Sequence, residues 1–308
     1  MKKENTLDLI ANTPLVYLDR IHSGKGKIYG KLEYLQPGGS VKDRSARQII
    51  QDAYNSNRLK RGQYVVEMTS GNMGAGLTVA CRQFGNPLIL VISKGNSPER
   101  LKILTALGVE IVLTEQVDGQ PGKVTGKDIE FAANIAKEIA REKDAFYVDQ
   151  LHSQSGIKAH FETTGPEIWN DLQSVNVFIA SLGSGATFIG TSKYLKSKNQ
   201  NIKCIAVEPE SASFLKTGVV TNPKHIIQGT GYGFLPTGWD AQLVDDIITV
   251  TDQEVGDMTK RLALEQSLYV GYSSGANVMA AGKYLETSAS AENVVTILCD
   301  SGYKYTNI

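Results

Sequence analysis

Cysteine and histidine are scarce here: three cysteines (Cys81, Cys204, Cys299) and four histidines (His22, His152, His160, His225) among 308 residues. The cysteines lie far apart and show neither a disulfide framework nor C-x-x-C spacing, and no H-E-x-x-H pattern occurs. A disulfide scaffold and a zinc site are therefore not expected. A surplus of one charge is also missing. Lys+Arg and Asp+Glu both total 32, for a formal net charge of +0, so nothing steers the chain towards nucleic acid or an anionic membrane. The basic cluster "RLKRG" reads as solvated surface. Long apolar runs are absent as well. The longest, "PLILVIS" and "VNVFIASL", are strand-sized and far short of a membrane span. "MKKENTLDLI" lacks the apolar core of a secretory leader, so a cytoplasmic location is expected.

What is present is ordinary globular material, 41% hydrophobic and 21% charged, in an amount that suits two compact domains. From Tyr64 onward, strand-like runs alternate with helical periodicity: "YVVEMTS", "GLTVACRQFG", "PLILVIS", "SPERLKILTALG", "EIVLTE" and "GKDIEFAANIAKEIAREKD". A second series follows, through "GIKAHFETTGPEIWNDL", "VNVFIASL", "ATFIGTSKYLKSKN", "IKCIAVEP", "EVGDMTKRLALEQS", "SSGANVMAAGKYLETS" and "NVVTILCD". This alternation predicts an α/β protein of two doubly wound parallel-sheet domains with a cleft between them. Helix starts carry their own signals. Ser97-Pro98-Glu99 offers a cap followed by proline at the first helical position, and Thr251 with Glu254 fits a capping box. No internal repeat is evident. The glycine-rich "QVDGQPGKVTG" (116–126) reads as a loop, either a lid or plain surface.

Three glycine-rich turns invite chemical readings. "SLGSGATFIG" follows an apolar strand and opens a helix, so the amides of Gly183 to Thr187 form an anion cradle or simply turn the chain. A dinucleotide site is disfavoured, because Phe188 stands where the third glycine of G-x-G-x-x-G belongs. "GYSSG" (271–275) matches a hydrolase nucleophile elbow at Ser273. That fold needs a histidine after the serine, whereas the last histidine is His225, so the triad cannot be completed. "SFLK" running into Lys216-Thr217-Gly218 mimics penicillin-binding motifs, but those belong on separate elements.

Taken together the turns are specific. "GGSVKDR" (38–44), "TSGNMG" (69–74), "TTGPEIW" (163–169), "GSGAT" (183–187), "QGTGYGF" (228–234), "SSGA" (273–276) and "DSG" (300–302) occur in one order along nearly the whole chain. In this the sequence resembles the cysteine synthase (O-acetylserine sulfhydrylase) and cystathionine β-synthase family, pyridoxal-phosphate enzymes of fold type II (tryptophan synthase β-like). The resemblance implies that Lys42 forms the Schiff base with pyridoxal 5'-phosphate. It implies that Gly183, Ser184, Gly185, Ala186 and Thr187 bind the cofactor phosphate, that Asn72 bonds the ring hydroxyl, and that Ser273 faces the pyridine nitrogen. Thr69, Ser70 and Gln150 are implied to hold the substrate carboxylate as a smaller domain closes. The implied domains are 1–41 with 153–308, larger and holding the phosphate, and 42–152, smaller and mobile.

The implied reaction is β-replacement through an aminoacrylate: Lys42 removes the α-proton, the group on Cβ leaves, and a nucleophile adds. A serine opposite the ring nitrogen makes a weaker electron sink than an aspartate, which favours that elimination. Three residues depart from the common pattern. Met73 replaces a threonine in the carboxylate loop, and either lines the substrate site or turns into the core. Tyr232 replaces a small residue in the G-x-G-x-G loop, where a phenol narrows the site or points to solvent. Cys299 replaces a proline before "DSG". The leading expectation is a cysteine synthase-like enzyme taking O-acetylserine or a related donor with sulfide. The alternative consumes cysteine, releases hydrogen sulfide and yields serine, lanthionine or cystathionine. A catalytically silent protein-binding relative is disfavoured by the retention of Lys42, Asn72 and Ser273. A homodimer is implied. The chain closes with "DSGYKYTNI" just past the catalytic core, so regulatory and haem-binding extensions are not expected.

Overall fold

The computed structural model describes residues 2–69, 71–96, 98–120 and 124–305. In chain order the elements are β1 (Leu15–Tyr17), β2 (Lys27–Leu32), α1 (Lys42–Asn55), β3 (Val65–Met68), α2 (Asn72–Phe84), β4 (Leu88–Ser93), α3 (Pro98–Ala106), β5 (Glu110–Thr114), α4 (Gly126–Glu142) and β6 (Phe146–Tyr147). They continue with α5 (Gln154–Ala159), a π-helical turn His160–Thr164, α6 (Gly165–Asp171), β7 (Val177–Ser181), α7 (Ala186–Lys198), β8 (Lys203–Pro209), α8 (Phe214–Thr217), β9 (Asp246–Val250), α9 (Asp252–Gln266), α10 (Tyr272–Thr287) and β10 (Asn293–Leu298). Among the described residues no helix is long and apolar enough to cross a membrane.

The chain divides into a first unit, Met1–Ile10 with Gln36–Gly156, and a second, Ala11–Leu35 with Ile157–Ile308. The sequence-based split put 1–41 and 153–156 with the second unit, whereas 1–10, 36–41 and 153–156 group with the first, and for 1–10 and 36–41 hydrogen bonds explain why. The Gly38 amide donates to the Asp43 carboxylate, and the Lys42 amide reaches Ser40 Oγ at 3.3 Å. The Arg47 guanidinium donates to the carbonyls of Leu7 and Ile10 at 3.3 and 3.4 Å. The turn that introduces α1 is thereby tied to α1 itself.

The first unit is built on a four-stranded sheet in the order β5-β4-β3-β6, all parallel. β3 and β4 are buried at every position, which requires helices on both faces. On one face α1 and α2 cover Val65, Leu88, Leu90 and Ile92. On the other, Ala132, Ala136 and Ala140 of α4 cover Val66, Met68, Ile89 and Val91. The α4 start is a capping box, with the Asp128 amide on Thr125 Oγ1 and the Thr125 amide on Asp128. The cap expected at Ser97, and residues 121–123 of the loop at 116–126, lie outside the described residues.

The second unit holds a six-stranded sheet ordered β1-β2-β10-β7-β8-β9. It is parallel except for β1, which pairs antiparallel with β2 and closes that edge. The capping box expected at Thr251 and Glu254 starts α9.

In both units the strand order reverses once. In the first it reverses at β3, with β4 on one side and β6 on the other; in the second it reverses at β7, between β8 and β10. Loops leaving the carboxyl ends of the strands at such a point diverge, and the gap between them is where α/β sheets bind ligands. This marks the loops after β3 and β6 in one unit and after β7 and β10 in the other.

Candidate active site

In the first unit, β3 runs into Thr69, Gly71 and Asn72, and Asn72 opens α2. Gly71 sits at φ 135°, a conformation that side-chain-bearing residues rarely adopt. Thr69 is 2% exposed, and its Oγ1 accepts from the amides of Gly71 (3.0 Å) and Gly74 (3.3 Å). With its lone pairs engaged by two amides, the hydroxyl hydrogen is what remains to offer an incoming acceptor. From the other side of the reversal, beyond β6, Gln150 donates from Nε2 to the Met68 carbonyl at 3.2 Å. The first turn of α1 lies against the opening two turns of α2: a Cβ on Gly76 would stand 3.0 Å from Asp43 Cα. This places Lys42, the first residue of α1 and half-buried, beside the Asn72 end of α2. Four expected residues, Lys42, Thr69, Asn72 and Gln150, are thus gathered at one reversal point. Ser70 lies outside the described residues.

Met73 does not join them. Its side chain, 2% exposed, packs into the core with Leu77, Leu90 and Leu104. It stands four residues before Leu77 on the inward face of α2, so the helix period carries it away from the loop. The substrate-lining role expected for it gives way to packing.

In the second unit, β7 delivers Gly183, Ser184 and Gly185 to the start of α7, a helix of 13 residues with no side-chain cap. Its first amides are therefore available to an anion, and the helix dipole adds favourable potential there. The glycines are sterically required. A Cβ on Gly183 would sit 2.1 Å from the Gly229 carbonyl oxygen, and Gly185, at φ +79°, faces Pro236 at 2.7 Å. The loop 228–236 is therefore packed directly onto the cradle, and Tyr232 comes with it. The Tyr232 ring stacks on Phe234 with centroids 5.5 Å apart and planes 9° from parallel, and its hydroxyl is 3.7 Å from the Cβ position of Gly229. Thr187 Oγ1 is hydrogen-bonded to His160 Nε2 at 3.2 Å, and His160 Nδ1 to Thr164 Oγ1 at 2.8 Å, within the π-helical turn. Such turns recur at functional sites.

Ser273 is half-buried on the first turn of α10. That turn is anchored at the reversal point by its neighbours. Ser274 Oγ accepts from the Cys299 amide at 2.9 Å, while the Asn277 amide group accepts from Ser181 N (2.8 Å) and donates to the Ile297 carbonyl (2.8 Å). Cys299, half-buried, lies within reach of Asn277 Nδ2 at 3.5 Å. The other two cysteines are buried; burial pushes the Cys81 thiol up to about 12 and the Cys204 thiol to about 11. The Ser213 hydroxyl donates to the Glu210 carbonyl and Lys216 Nζ to the Ile247 carbonyl, structural uses for the "SFLK" pair.

Reading the sequence alone missed His160, Asn277 and Glu67. Each is a polar residue buried beside a recognised motif, and its only signal is that position. Among the described residues no cluster of His, Cys, Asp or Glu is placed to hold a metal ion.

Two parallel-sheet units, one with an uncapped helix start walled by obligatory glycines and one with a lysine beside a hydroxyl- and amide-bearing loop, define a fold type II pyridoxal-phosphate enzyme. The chain belongs to that family: the family model described as "Pyridoxal-phosphate dependent enzyme" matches residues 6–300. It is 35% identical over 300 residues to an O-acetylserine dependent cystathionine β-synthase of Bacillus subtilis, covering 97% of this chain and 94% of the relative. It is 37% identical over 311 residues to cysteine synthase A of Escherichia coli, covering 98% and 93%. A crystal structure of a hydrogen sulfide-producing enzyme from Fusobacterium nucleatum superposes with a TM-score of 0.91 at 34% identity, covering 99% of this chain and 98% of that one.

Proposed function

We propose that this protein catalyses β-replacement on an amino acid in the manner of a cysteine synthase, joining O-acetylserine or a related donor to sulfide to give L-cysteine. The observation that supports it most directly is the uncapped α7 start, where a Cβ on Gly183 would overlap the Gly229 carbonyl. Only bare peptide fits there, and bare peptide N–H groups suit a phosphate. Pyridoxal phosphate, when bound, supplies an electron-poor ring that stabilises negative charge at the amino-acid Cα.

The chain's own residues divide the remaining work. Gly183, Ser184, Gly185, Ala186 and Thr187 hold the phosphate, with Thr187 oriented by His160. Asn72 and Ser273 orient the ring, and Ser273 offers the ring nitrogen a neutral hydroxyl in place of a charge. Lys42 anchors the cofactor and takes the proton from Cα. Thr69, Ser70 and Gln150 bind the substrate carboxylate; the two amides on Thr69 Oγ1 leave its hydrogen to donate. Tyr232, on the loop packed against the phosphate cradle, faces the acceptor.

A second reading has cysteine as the donor and releases hydrogen sulfide, with serine, lanthionine or cystathionine as product. It is supported by the similarity to the sulfide-producing Fusobacterium enzyme and by the bulk of Tyr232 where small residues are common. The test is to incubate the holoenzyme with O-acetylserine plus sulfide and, separately, with cysteine alone, and to identify the amino-acid products. Brisk cysteine formation from the first supports the leading reading; sulfide release from the second with negligible acetylserine turnover overturns it. The family resemblance also supports a homodimer, which sedimentation of the purified protein tests, and a cytoplasmic location, which fractionation of the producing cells tests.

A further inference from the structure

Glu67 is the penultimate residue of β3, the strand that delivers the carboxylate loop. Strand alternation puts it on the same face as Val65, towards the apolar layer beneath α1 and α2. It is 1% exposed, and its Oε2 has no hydrogen-bond partner. A carboxyl in such a place costs the fold stability unless something is gained by it.

What it meets is the segment after β6. The Asp149–Gln150 segment lies close enough to act on the carboxyl electrostatically, its amides favouring the charged form and the Asp149 carboxylate opposing it. Burial pushes the group up to about 8 against the pull of those amides. The same segment needs holding. Asp149 sits at φ +51°, a left-handed conformation that persists only where the surroundings impose it. Val148 N is bonded to the Val66 carbonyl at 3.0 Å, and Gln150 Nε2 to the Met68 carbonyl at 3.2 Å. Glu67 lies between these two attachments on the same strand.

We infer that Glu67 is a positioning residue for the substrate: it fixes the Asp149–Gln150 turn so that Gln150 and Thr69 present a preformed site for the amino-acid carboxylate. The inference rests on the carboxylate-binding role proposed above for Gln150. Glu67 does not touch substrate, and its effect passes through Gln150.

The test compares holoenzymes carrying Glu67→Leu, Glu67→Gln, Gln150→Ala and the double variant E67L/Q150A. The readouts are KM and kcat for O-acetylserine, or for cysteine if that is the donor turned over, and the calorimetric Kd of L-alanine, which carries no leaving group. Leucine keeps the volume and removes the acceptor, so donor KM and alanine Kd should rise about tenfold with kcat within about threefold of wild type. Glutamine keeps an acceptor oxygen in the same place and should restore both to within about twofold. In the Gln150→Ala background, Glu67→Leu should add less than about twofold, because the two act as one unit. Unchanged KM and Kd in Glu67→Leu, or losses that multiply in the double variant, would overturn the inference while leaving the carboxylate role of Gln150 intact. Wild-type constants in Gln150→Ala would instead remove that role, and the inference with it. Should Glu67→Leu not fold, Glu67→Asn, polar but one methylene short of the turn, is expected to raise KM alike, and an unchanged KM there is equally fatal.

Discussion

The two units place their functional loops by the same topological rule and stabilise them by opposite means. In the second unit the cradle is set by shape: Gly183 and Gly185 are walled by Gly229 and Pro236, and no side chain fits. In the first unit the loop is set by polar bonds: Thr69 caps two amides, Gln150 grips Met68, and Glu67 lies buried beneath. A phosphate looks the same in every member of such a family, so a rigid cradle loses nothing. Substrates differ, and a site tied by hydrogen bonds can be retuned one residue at a time.

That contrast can be attacked residue by residue. If Lys42 is the proposed anchor and base, replacing it by alanine should cut kcat by at least about a thousandfold; the visible band of the holoenzyme and its borohydride-sensitive linkage should vanish with it. Gly183→Ala forces the Gly229 carbonyl aside, and should weaken pyridoxal phosphate binding about tenfold or more, read by titrating the apoenzyme spectroscopically. A cradle that tolerates this alanine would end the claim that shape alone sets it. On the polar side, Glu67 binds its proton more tightly in the folded state, about 8 against an ordinary 4.5. Folding stability should therefore be full below pH 4.5 and fall as pH rises towards 8, by up to a few kcal/mol. Glu67→Gln should flatten that slope in denaturant titrations at pH 5, 6, 7 and 8; an equal slope in both proteins would mean the carboxyl is not buried as described. The smallest effect is expected at Tyr232. Phenylalanine keeps the stack on Phe234 and loses only the hydroxyl, so the ratio of products from competing thiol acceptors should shift about two- to fivefold. An unchanged ratio would mean that the phenol does not reach the acceptor.

Much of this was legible in the sequence because the functional turns combine glycine with small polar residues at strand ends, and that signal is local. "GSGAT" and "TSGNMG" declare a strand-to-helix turn before any fold is known. β1 and β2 were not legible. "KIYGKL" carries two lysines, and Lys31 is acceptable inside because Nζ donates to the Thr13 carbonyl at 2.5 Å and pairs with Glu167 at 3.0 Å and Asp171 at 3.3 Å, the two carboxylates lying far along the chain. β6 is two residues long and β9 is only partly buried, so neither offers a period to detect. Met73 was ambiguous for a different reason. A loop motif and a helix face overlap at that position, and the helix decides. Glu67 was invisible because a glutamate between valine and methionine reads as a solvent-facing strand residue until the sheet is seen to be covered on both sides.

Cys81 and Cys204 give one more consequence. A catalyst that makes or consumes thiols works in the presence of disulfides and persulfides formed from them, and an accessible thiolate of its own would exchange into mixed species. With both sulfurs buried and kept protonated well above neutral pH, neither is an attacking group in such exchange. Cys81 and Cys204 can therefore stand in such a reaction mixture without being titrated by it, a protection that does not extend to the half-buried Cys299.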